Sequence, residues 1–561
     1  MTSRVSGARQ DSIVAPSPSA SFKLGMMIEM AGVDMGQVCS VGRKGPRSKG
    51  KLLGAFRTSR VEMEPPGEPM KLSRSSVDPI WVGSSVLILG SLVVWVVLSR
   101  SFIYGEGHAE RPILEFLAVY AVAWLAFSAA ASRLTSQRRT RVSWILLVAL
   151  VARILLIPSN LIQENDVYRY VLDGKTLLDG ANPYQLSPLE VAGREERISK
   201  LDLDSPEAAR VLGRIGYPEV PTVYPPAAQV VFALGALLSG WDWHGQRRVF
   251  LVLDFLVVGL IVALLAALER PLEWVLVYAW NPLVLKEIAN SCHVDVLAAA
   301  CILALLLILV RYERSPSTGR AALAGGLLGL AALSKIYPLV LAPVLGAYLI
   351  RRRGGWKDAA TGFLACGVVV VAGYAPFLGI GWENLNRGLR IYGALWRMNE
   401  GLFSVAEAWL PNPRFATAVL IGAAALLIPW LRRDPSSLRF IRDGFWVLLV
   451  WFLLIPTPFP WYAVPLLAVG ALSAETRRLV LLLSGALALY YLHFLYLYRD
   501  YPPVWWSVTR LIEHLSIWVG VVWMLFSTEM QRRRPPAVES AEAGSHSREI
   551  TGIVSADDPE S

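Results

Sequence analysis

The chain has 561 residues, of which 54% are hydrophobic and 17% are charged, and its mean hydropathy is +0.45. Soluble globular proteins carry charge on about a quarter of their residues, so the composition excludes an ordinary soluble enzyme. The net charge of +10 is no sign of nucleic-acid binding, because basic residues in membrane proteins usually mark cytoplasmic loops. We therefore expect the lipid bilayer, and no nucleic acid, as a partner.

Both ends of the chain have the composition of disordered tails. Residues 1–78 are rich in Ser, Gly, Pro and basic residues without apolar periodicity, which predicts a disordered basic tail. No apolar core follows the first charges, so we expect no secretory signal peptide, and Met63 or Met70 is an alternative start. The polar stretch 531–561 predicts a second disordered tail, on the cytoplasmic side.

Residues 79–530 form the predicted membrane domain, since apolar runs recur throughout and about 20 apolar residues cross the hydrocarbon core. The fold class is therefore an all-α polytopic membrane protein. We predict about 14 transmembrane helices, near residues 80–99, 113–131, 142–158, 249–268, 273–289, 294–310, 320–334, 336–350, 359–378, 415–430, 444–456, 460–473, 479–496 and 508–527.

Basic loops set the predicted orientation. The positive-inside rule makes the following loops cytoplasmic: 133–141, 311–320, 351–358, 432–443, 475–478 and 531–534. They share one side only if the short apolar segment 226–240 does not cross, so we predict that this segment is re-entrant or interfacial. Both termini are then cytoplasmic, and 159–248 is the largest outer loop.

A dense polar segment, "ENDVYRYVLDGKTLLDGANPY" at 164–184, opens this outer loop. Asp166, Arg169, Tyr170 and Asp173 are spaced to share one face of a helix. We predict an amphipathic helix lying flat at the membrane surface. A merely solvated face is the alternative interpretation, but such polar groups at a membrane boundary are costly unless they are paired or functional.

Six segments carry a resemblance to a known family. They are "NDVYRYVLDGKTLLDGANPY", "YPPAAQ" (224–229), "AWNPLVLKEIANSCHVD" (279–295), "LSKIYPL" (333–339), "WRMNEGLFS" (396–404) and "PTPFPWY" (456–462). Their order resembles the polyprenol-phosphate-mannose-dependent mannosyltransferases of the GT-C fold, close to the α-1,6-mannosyltransferase-like and GT87-like groups. Two features depart from that pattern: two spans precede the one entering the main loop, and "SCHVD" lacks the usual Gly before His.

The resemblance implies an integral membrane glycosyltransferase with a large first catalytic outer loop. It would transfer a sugar, foremost mannose, from a polyprenyl-phosphate donor to a glycan or glycolipid acceptor on the outer face, with inversion. Asp166 matches the loop-1 catalytic aspartate and is the expected general base, a role that typically supplies ~10²–10⁴-fold in rate. Glu164 and Asp173 are the alternatives.

The donor phosphate requires cationic groups near the outer surface. We expect them to be Lys286, Lys335 and Arg397. Snorkelling to the interface is the alternative for the two lysines, and an ordinary surface position is the alternative for Arg397. Arg169 is expected to orient Asp166 or Asp173.

His293 and Asp295 are expected to hydrogen-bond the substrate or to assist the base. Positions i and i+2 point to different helix faces, so we expect no metal site, although dependence on a divalent cation stays open. A helix cap is the alternative for Asp295, and a structural role is the alternative for Tyr224, which precedes a rigid Pro-Pro pair. The remaining expected substrate-binding residues are Tyr170, Asp173, Tyr224 and Asn399.

Other functions remain open at the level of the sequence. A transferase using another lipid-linked sugar, such as glucose or arabinose, would have the same features. A transporter or flippase of lipid-linked saccharides would be expected to show internal repeats and midplane binding groups, neither of which is evident. A polymerase or ligase of surface polysaccharide would be expected to place its large loop later in the chain.

Overall fold

The computed structural model describes residues 78–104, 107–134, 142–193, 201–431, 436–499 and 501–533. The predicted N-terminal tail lies outside the described residues except for Asp78. Most of the predicted C-terminal tail also lies outside them, although residues 531–533 continue the last helix. Three of the predicted basic loops are described only in part. The structure describes residues 133 and 134 of the loop 133–141, residues 436–443 of the loop 432–443, and residues 531–533 of the loop 531–534.

The described residues contain helices and no strand. The α-helices are α1 Pro79–Ser99, α2 Ile113–Ser132, α3 Val142–Leu156, α4 Asp166–Leu178, α5 Pro188–Gly193, α6 Pro206–Leu212, α7 Pro226–Ser239, α8 His244–Ala267, α9 Leu276–Ala279, α10 Pro282–Val284, α11 Asp295–Arg314, α12 Thr318–Ser334, α13 Ala342–Ile350, α14 Gly355–Tyr374, α15 Trp382–Leu385, α16 Arg387–Leu395, α17 Leu402–Trp409, α18 Pro413–Trp430, α19 Ser437–Leu454, α20 Val464–Gly470, α21 Ala474–Ala486, α22 His493–Arg499 and α23 Pro503–Arg533.

Shorter helical turns connect several of these helices. The 3₁₀ turns are His108–Glu110, Leu272–Val275, Tyr337–Leu341, Ala375–Ile380, Pro460–Ala463 and Leu487–Leu492, and Leu285–Asn290 is a π-helix.

Eight helices among the described residues are long and apolar enough to cross a membrane: Pro79–Ser99, Ile113–Ser132, His244–Ala267, Asp295–Arg314, Gly355–Ile380, Pro413–Trp430, Ala474–Arg499 and Val504–Phe526. Five more apolar helices are shorter, including α3, α7 and α12. The prediction of an all-α polytopic membrane protein is confirmed. The count of about 14 spans stays a prediction.

Buried charges inside the bundle are paired. The Arg153 guanidinium of α3 donates to Asp254 of α8 at 2.8 Å and to the Ala279 carbonyl of α9 at 2.6 Å. The Tyr278 hydroxyl donates to the same carboxylate at 2.8 Å. An unpaired charge at this depth would be costly, so these bonds tie α3, α8 and α9 together.

A second buried arginine closes one end of the bundle. Arg247, 1% exposed, donates to the carbonyls of Leu156, Ile157 and Ser159 after α3, and to the Asn290 carbonyl. The last carbonyls of a helix have no hydrogen-bond partner within the helix, and Arg247 supplies one at the end of α3. We call this end, where α3 stops and the π-helix stops, the site end.

Helix α7 begins and ends near the site end. Tyr224, just before α7, donates to Asp166 at 3.1 Å, and Arg248, in the first turns of α8, donates to Ser239 at the end of α7 at 3.1 Å. Arg248 directly follows the arginine that closes the site end. A segment 226–240 that does not cross the membrane must begin and end on the same side, and the two ends of α7 agree with this. That the segment is re-entrant stays a prediction.

Helices α4 and α7 pack at backbone contact distance. A Cβ added at Gly174 of α4 would lie 2.3 Å from the Phe232 carbonyl oxygen of α7. The Tyr170 and Phe232 rings stack with centroids 4.2 Å apart. The glycine therefore sets the separation of the two helices, and this separation positions the start of α4.

Gly174→Ala should force α4 and α7 apart, because the new methyl group meets backbone atoms that cannot rotate away. We expect a loss of stability of about 1–3 kcal/mol, measured as a lower midpoint of thermal unfolding of the purified protein in detergent. Gly259→Ala in α8 is the control, since nothing lies within 4 Å of its added Cβ. Equal midpoints for the two variants would contradict the close packing of α4 and α7.

Candidate active site

A cavity of about 1150 Å³ lies where α4 begins. Part of its wall is charged, with Glu164, Asp166, Arg169, Glu219, Lys335, Arg397 and Arg414. The rest is mainly apolar and aromatic, contributed mostly by α16, α18, α19 and α22 and including Leu389, Ile421, Trp451, Ile455 and Leu497. The cavity therefore joins a polar region to an apolar one.

Asp166 is the first residue of α4 and faces this cavity with 34% of its side chain exposed. Its Oδ2 accepts from the Tyr224 hydroxyl at 3.1 Å and lies 3.5 Å from the Tyr170 hydroxyl. The preceding residue, Asn165, is fixed by a bond from its amide to the Arg214 carbonyl at 3.1 Å. A carboxylate held this way keeps one edge open to a ligand.

The segment before Asp166 is held by Asn290. The Asn290 amide donates to the Ser159 hydroxyl at 2.9 Å and to the Asn160 carbonyl at 2.7 Å. Its side-chain oxygen accepts from the Ile162 amide at 3.0 Å. Asn290 is the last residue of the π-helix, an irregularity often found at functional sites, and the sequence did not reveal it.

His293 lies behind Asp166 and is fully buried. Its Nδ1 is 3.9 Å from Asp166 Oδ2, and its Nε2 is 3.3 Å from Glu287 Oε2. The ring stacks on Trp461, with centroids 4.0 Å apart and planes at 6°. His293 thus connects the cavity carboxylate to a buried one and does not itself line the cavity.

Lys286 is turned away from the cavity. Its ammonium donates to the Tyr491 hydroxyl at 2.6 Å and to the Ser291 hydroxyl at 2.9 Å, and it lies 3.6 Å from Glu287. The Tyr491 hydroxyl donates in turn to Glu287. The side chain is fully buried and does not line the cavity, a position that does not favour the predicted contact of Lys286 with a phosphate. Its charge balances Glu287.

Lys335 lines the cavity at the end of α12. Its Nζ is 3.1 Å from Asp295 and lies over the Tyr462 ring, 4.3 Å from the centroid. Its side chain is 12% exposed and that of Asp295 is fully buried. Asp295 therefore serves as the buried counter-ion of Lys335, and only the lysine faces the cavity.

Burial extends further around α4 than its amphipathic pattern predicts. Tyr170 is fully buried and Asp173 is 4% exposed, because α7 covers their side of the helix. Asp173 accepts hydrogen bonds from Thr222 and, at 3.2 Å, from Gln229, and burial raises its pKa. It lies away from the cavity wall and anchors the chain that leads into α7.

Arg169 lines the cavity, but its guanidinium does not bond to Asp166 or Asp173 as predicted. It donates to the carbonyls of Val220 at 2.8 Å and Tyr217 at 3.3 Å. It therefore holds the 217–220 loop, part of the cavity wall, rather than gripping either aspartate.

The two residues predicted near 396–404 differ in position. Arg397 lines the cavity, but its guanidinium is already paired with Glu400, at 2.9 Å, and with Glu407. Asn399 is fully buried with φ +57° and donates to Glu513 at 2.7 Å. Asn399 does not line the cavity, because its side chain fastens this loop to α23.

Several wall residues were missed by sequence reasoning: Glu219, Tyr392, Arg414, Trp451 and Trp461. Trp461 and Tyr462 fall within the quoted motif "PTPFPWY", which was the available signal. The others come from long loops or apolar helices with no motif. Among the described residues, no group of three or more His, Cys, Asp or Glu is arranged to hold a metal ion.

Residues 222–456 match the model of glycosyltransferase family 87. The matched region contains Tyr224, His293, Asp295 and Lys335, and begins after α4. It covers less than half of the chain. The predicted GT87-like resemblance is confirmed over this region, and no curated protein matches the chain by sequence.

Two solved structures match parts of the chain. One is ArnT from Cupriavidus metallidurans in the apo state, with 16% identity and a TM-score of 0.40. That match covers 66% of this chain and 61% of ArnT, so this chain spans under two thirds of that protein. The other is the same ArnT bound to undecaprenyl phosphate, with 14% identity, a TM-score of 0.39, and coverage of 68% and 75%, respectively.

Glu164 should give the protein a pH-dependent stability. It is 9% exposed, and burial raises its pKa to about 8 from the usual 4.5. The folded chain therefore keeps a proton that the unfolded chain releases between pH 4.5 and 8, so this contribution to stability is lost as the pH rises through that window. Glu164→Gln should raise the thermal midpoint relative to wild type more at pH 8.5 than at pH 5.5. The same difference at both pH values would contradict a buried neutral carboxyl.

Proposed function

We propose that this GT87-like chain is an integral membrane glycosyltransferase. It transfers a sugar, foremost mannose, from a polyprenyl-phosphate donor to a glycan or glycolipid acceptor. One observation carries the proposal: the cavity presents the open carboxylate of Asp166 and the ammonium of Lys335 at its polar part, next to a broad apolar wall. A substrate with a charged head and a long apolar chain suits such a cavity.

Asp166 acts as the general base. It takes the proton of the acceptor hydroxyl while that oxygen forms a bond to the anomeric carbon of the donor, and the bond from that carbon to the phosphate oxygen breaks. The proton ends on the carboxylate and the leaving group departs as polyprenyl phosphate. Attack from the face opposite the phosphate inverts the anomeric centre. Tyr224, which bonds to the Asp166 Oδ2, keeps the carboxylate oriented.

His293 supports the same carboxylate from behind. The His293 ring lies between Asp166 and Glu287, and the flat contact with Trp461 restricts it to that position. We assign it a positioning role, because it does not line the cavity. This supports the proposal, since a base works best when its orientation is fixed before the substrate binds.

Lys335 binds the donor phosphate. Ammonium–phosphate contacts are charge-assisted and among the stronger hydrogen bonds, and negative charge grows on the phosphate as it leaves. Asp295 holds the ammonium at 3.1 Å on its buried side and leaves its exposed part facing the cavity. Arg414 also lines the wall and adds positive charge. Whether a divalent cation assists can be tested by chelation and re-addition of Mg²⁺ or Mn²⁺.

Arginines beside the short helix connections at the end of the bundle opposite the site support a site on the outer face. The end of the bundle opposite the site carries Arg133, paired with Asp78 at 3.2 Å, and Arg352, paired with Glu313 at 2.7 Å. Arg314 and Arg351 cap helix ends there as well. Under the positive-inside rule, this basic end is cytoplasmic and Asp166 faces the extracytoplasmic side.

Asp166→Asn should reduce transfer of radiolabelled mannose from polyprenyl-phosphate-mannose to membrane acceptors by about 10²–10⁴-fold, because the amide cannot accept the proton. The change conserves shape, so expression and the thermal midpoint should stay near those of wild type. Asp202→Asn, at an exposed carboxylate outside the cavity wall, is the matched control and should transfer at the wild-type rate.

Equal transfer by wild type and Asp166→Asn would remove Asp166 from the reaction. Transfer by neither protein, with both folded, would contradict mannose as the donor sugar. The assay would then be repeated with glucose and arabinose donors, and failure of all of them would contradict glycosyl transfer and favour transport.

A further inference from the structure

A second, smaller cavity adjoins the main one. It has a volume of about 230 Å³ and shares Tyr104, Gln163 and Glu164 with the main cavity. Its own walls include Arg111 and Arg214, which do not line the main cavity. We call it the side cavity. It meets the main cavity two residues before Asp166.

Three polar atoms on side chains that line the side cavity have no hydrogen-bond partner among the described residues: Arg111 Nε, Gln163 Nε2 and Glu164 Oε1. The three side chains are 1%, 5% and 9% exposed. Buried polar atoms are rarely left unpaired, and three around one cavity indicate a ligand that completes their bonding. Arg111 is held rigidly, since its other nitrogens donate to Gln163 at 2.9 Å and to the Ile103 carbonyl at 2.7 Å.

The unpaired atoms include both donors and an acceptor. Arg111 and Gln163 offer N–H groups, and Glu164 offers a carboxyl oxygen. A hydroxyl group both donates and accepts, so a polyhydroxylated ring can satisfy all three atoms.

Aromatic rings complete the side cavity. Tyr104 and Tyr168 contribute rings with centroids 6.2 Å apart, and Arg214 lies against Tyr168 with a bond of 3.3 Å to its hydroxyl. Aromatic faces cover the C–H surface of a sugar ring, while polar groups at the edge meet its hydroxyls. Concave sites of this mixed character are typical of small-molecule binding.

We propose that the side cavity binds the terminal neutral sugar residue of the acceptor, an inference that rests on the proposed function. Lys335 lines only the main cavity, which places the donor phosphate there. The side cavity instead opens beside Glu164, two residues before the base that must meet the acceptor hydroxyl. One hydroxyl of the acceptor sugar reaches Asp166 while the others bond to the side cavity.

The test is direct binding of an α-linked dimannoside to the purified full-length chain in detergent, measured by isothermal titration. Arg214→Met and Glu164→Met should each raise its dissociation constant at least fivefold, because each removes a polar group from the side cavity. Arg210→Met is the matched control: Arg210 is exposed in α6, pairs with Glu207, and lies four residues from Arg214. It should bind as wild type does.

Three results would overturn the proposal. The first is no binding of the dimannoside by wild type, and the second is equal binding by all four proteins. The third is inorganic phosphate that binds to wild type, displaces the dimannoside and loses affinity in Arg214→Met, which would show an anion site. Transfer activity is measured separately, so absent transfer with intact, variant-sensitive dimannoside binding would count against the proposed reaction and not against the side cavity.

Discussion

The hydrogen bonds of Asn290 and Arg247 are the interaction on which the rest of the site depends. Together they hold the non-helical backbone between Leu156 and Ile162 against the end of the π-helix. Without these bonds, several carbonyls at the end of α3 would lack partners in a buried setting, where that is costly. Because this segment leads directly into α4, its fixed path decides where Asp166 begins the helix.

The same region also contains buried carboxylates, whose charge is costly in a low-dielectric environment unless a cation lies nearby. Two fully buried carboxylates at the site end each have a nearby cation: Glu287 has Lys286, and Asp295 has Lys335. Asp166 differs, because its neighbours are tyrosine hydroxyls and the more distant His293. Of these three carboxylates, Asp166 is the one whose side chain is open to the cavity. The two paired carboxylates are fully buried, whereas Asp166 lines the cavity, where the proposed function places the base.

Some of this architecture could be predicted from sequence, and some could not. Apolar run lengths predicted the helical membrane fold. The polar cluster after α3 pointed to Asp166 as a site residue, and the need for a cation near the donor phosphate pointed to Lys335. Helical spacing alone could not show that α7 covers Tyr170 and Asp173, since that depends on contacts between distant segments. Nor could it show that Lys286 turns inward to Tyr491, over 200 residues away. The side cavity was missed because Arg111 and Arg214 belong to no motif.

The most direct test of this account is the structure of the full-length chain in a lipid nanodisc with a non-cleavable phosphonate analogue of polyprenyl-phosphate-mannose. The account predicts the phosphonate within about 4 Å of the Lys335 ammonium, the distance of an ion pair. The polyprenyl chain should lie along the apolar wall, and the anomeric carbon should face the open edge of Asp166. A phosphonate bound away from Lys335, with Asp166 turned from the sugar, would contradict it.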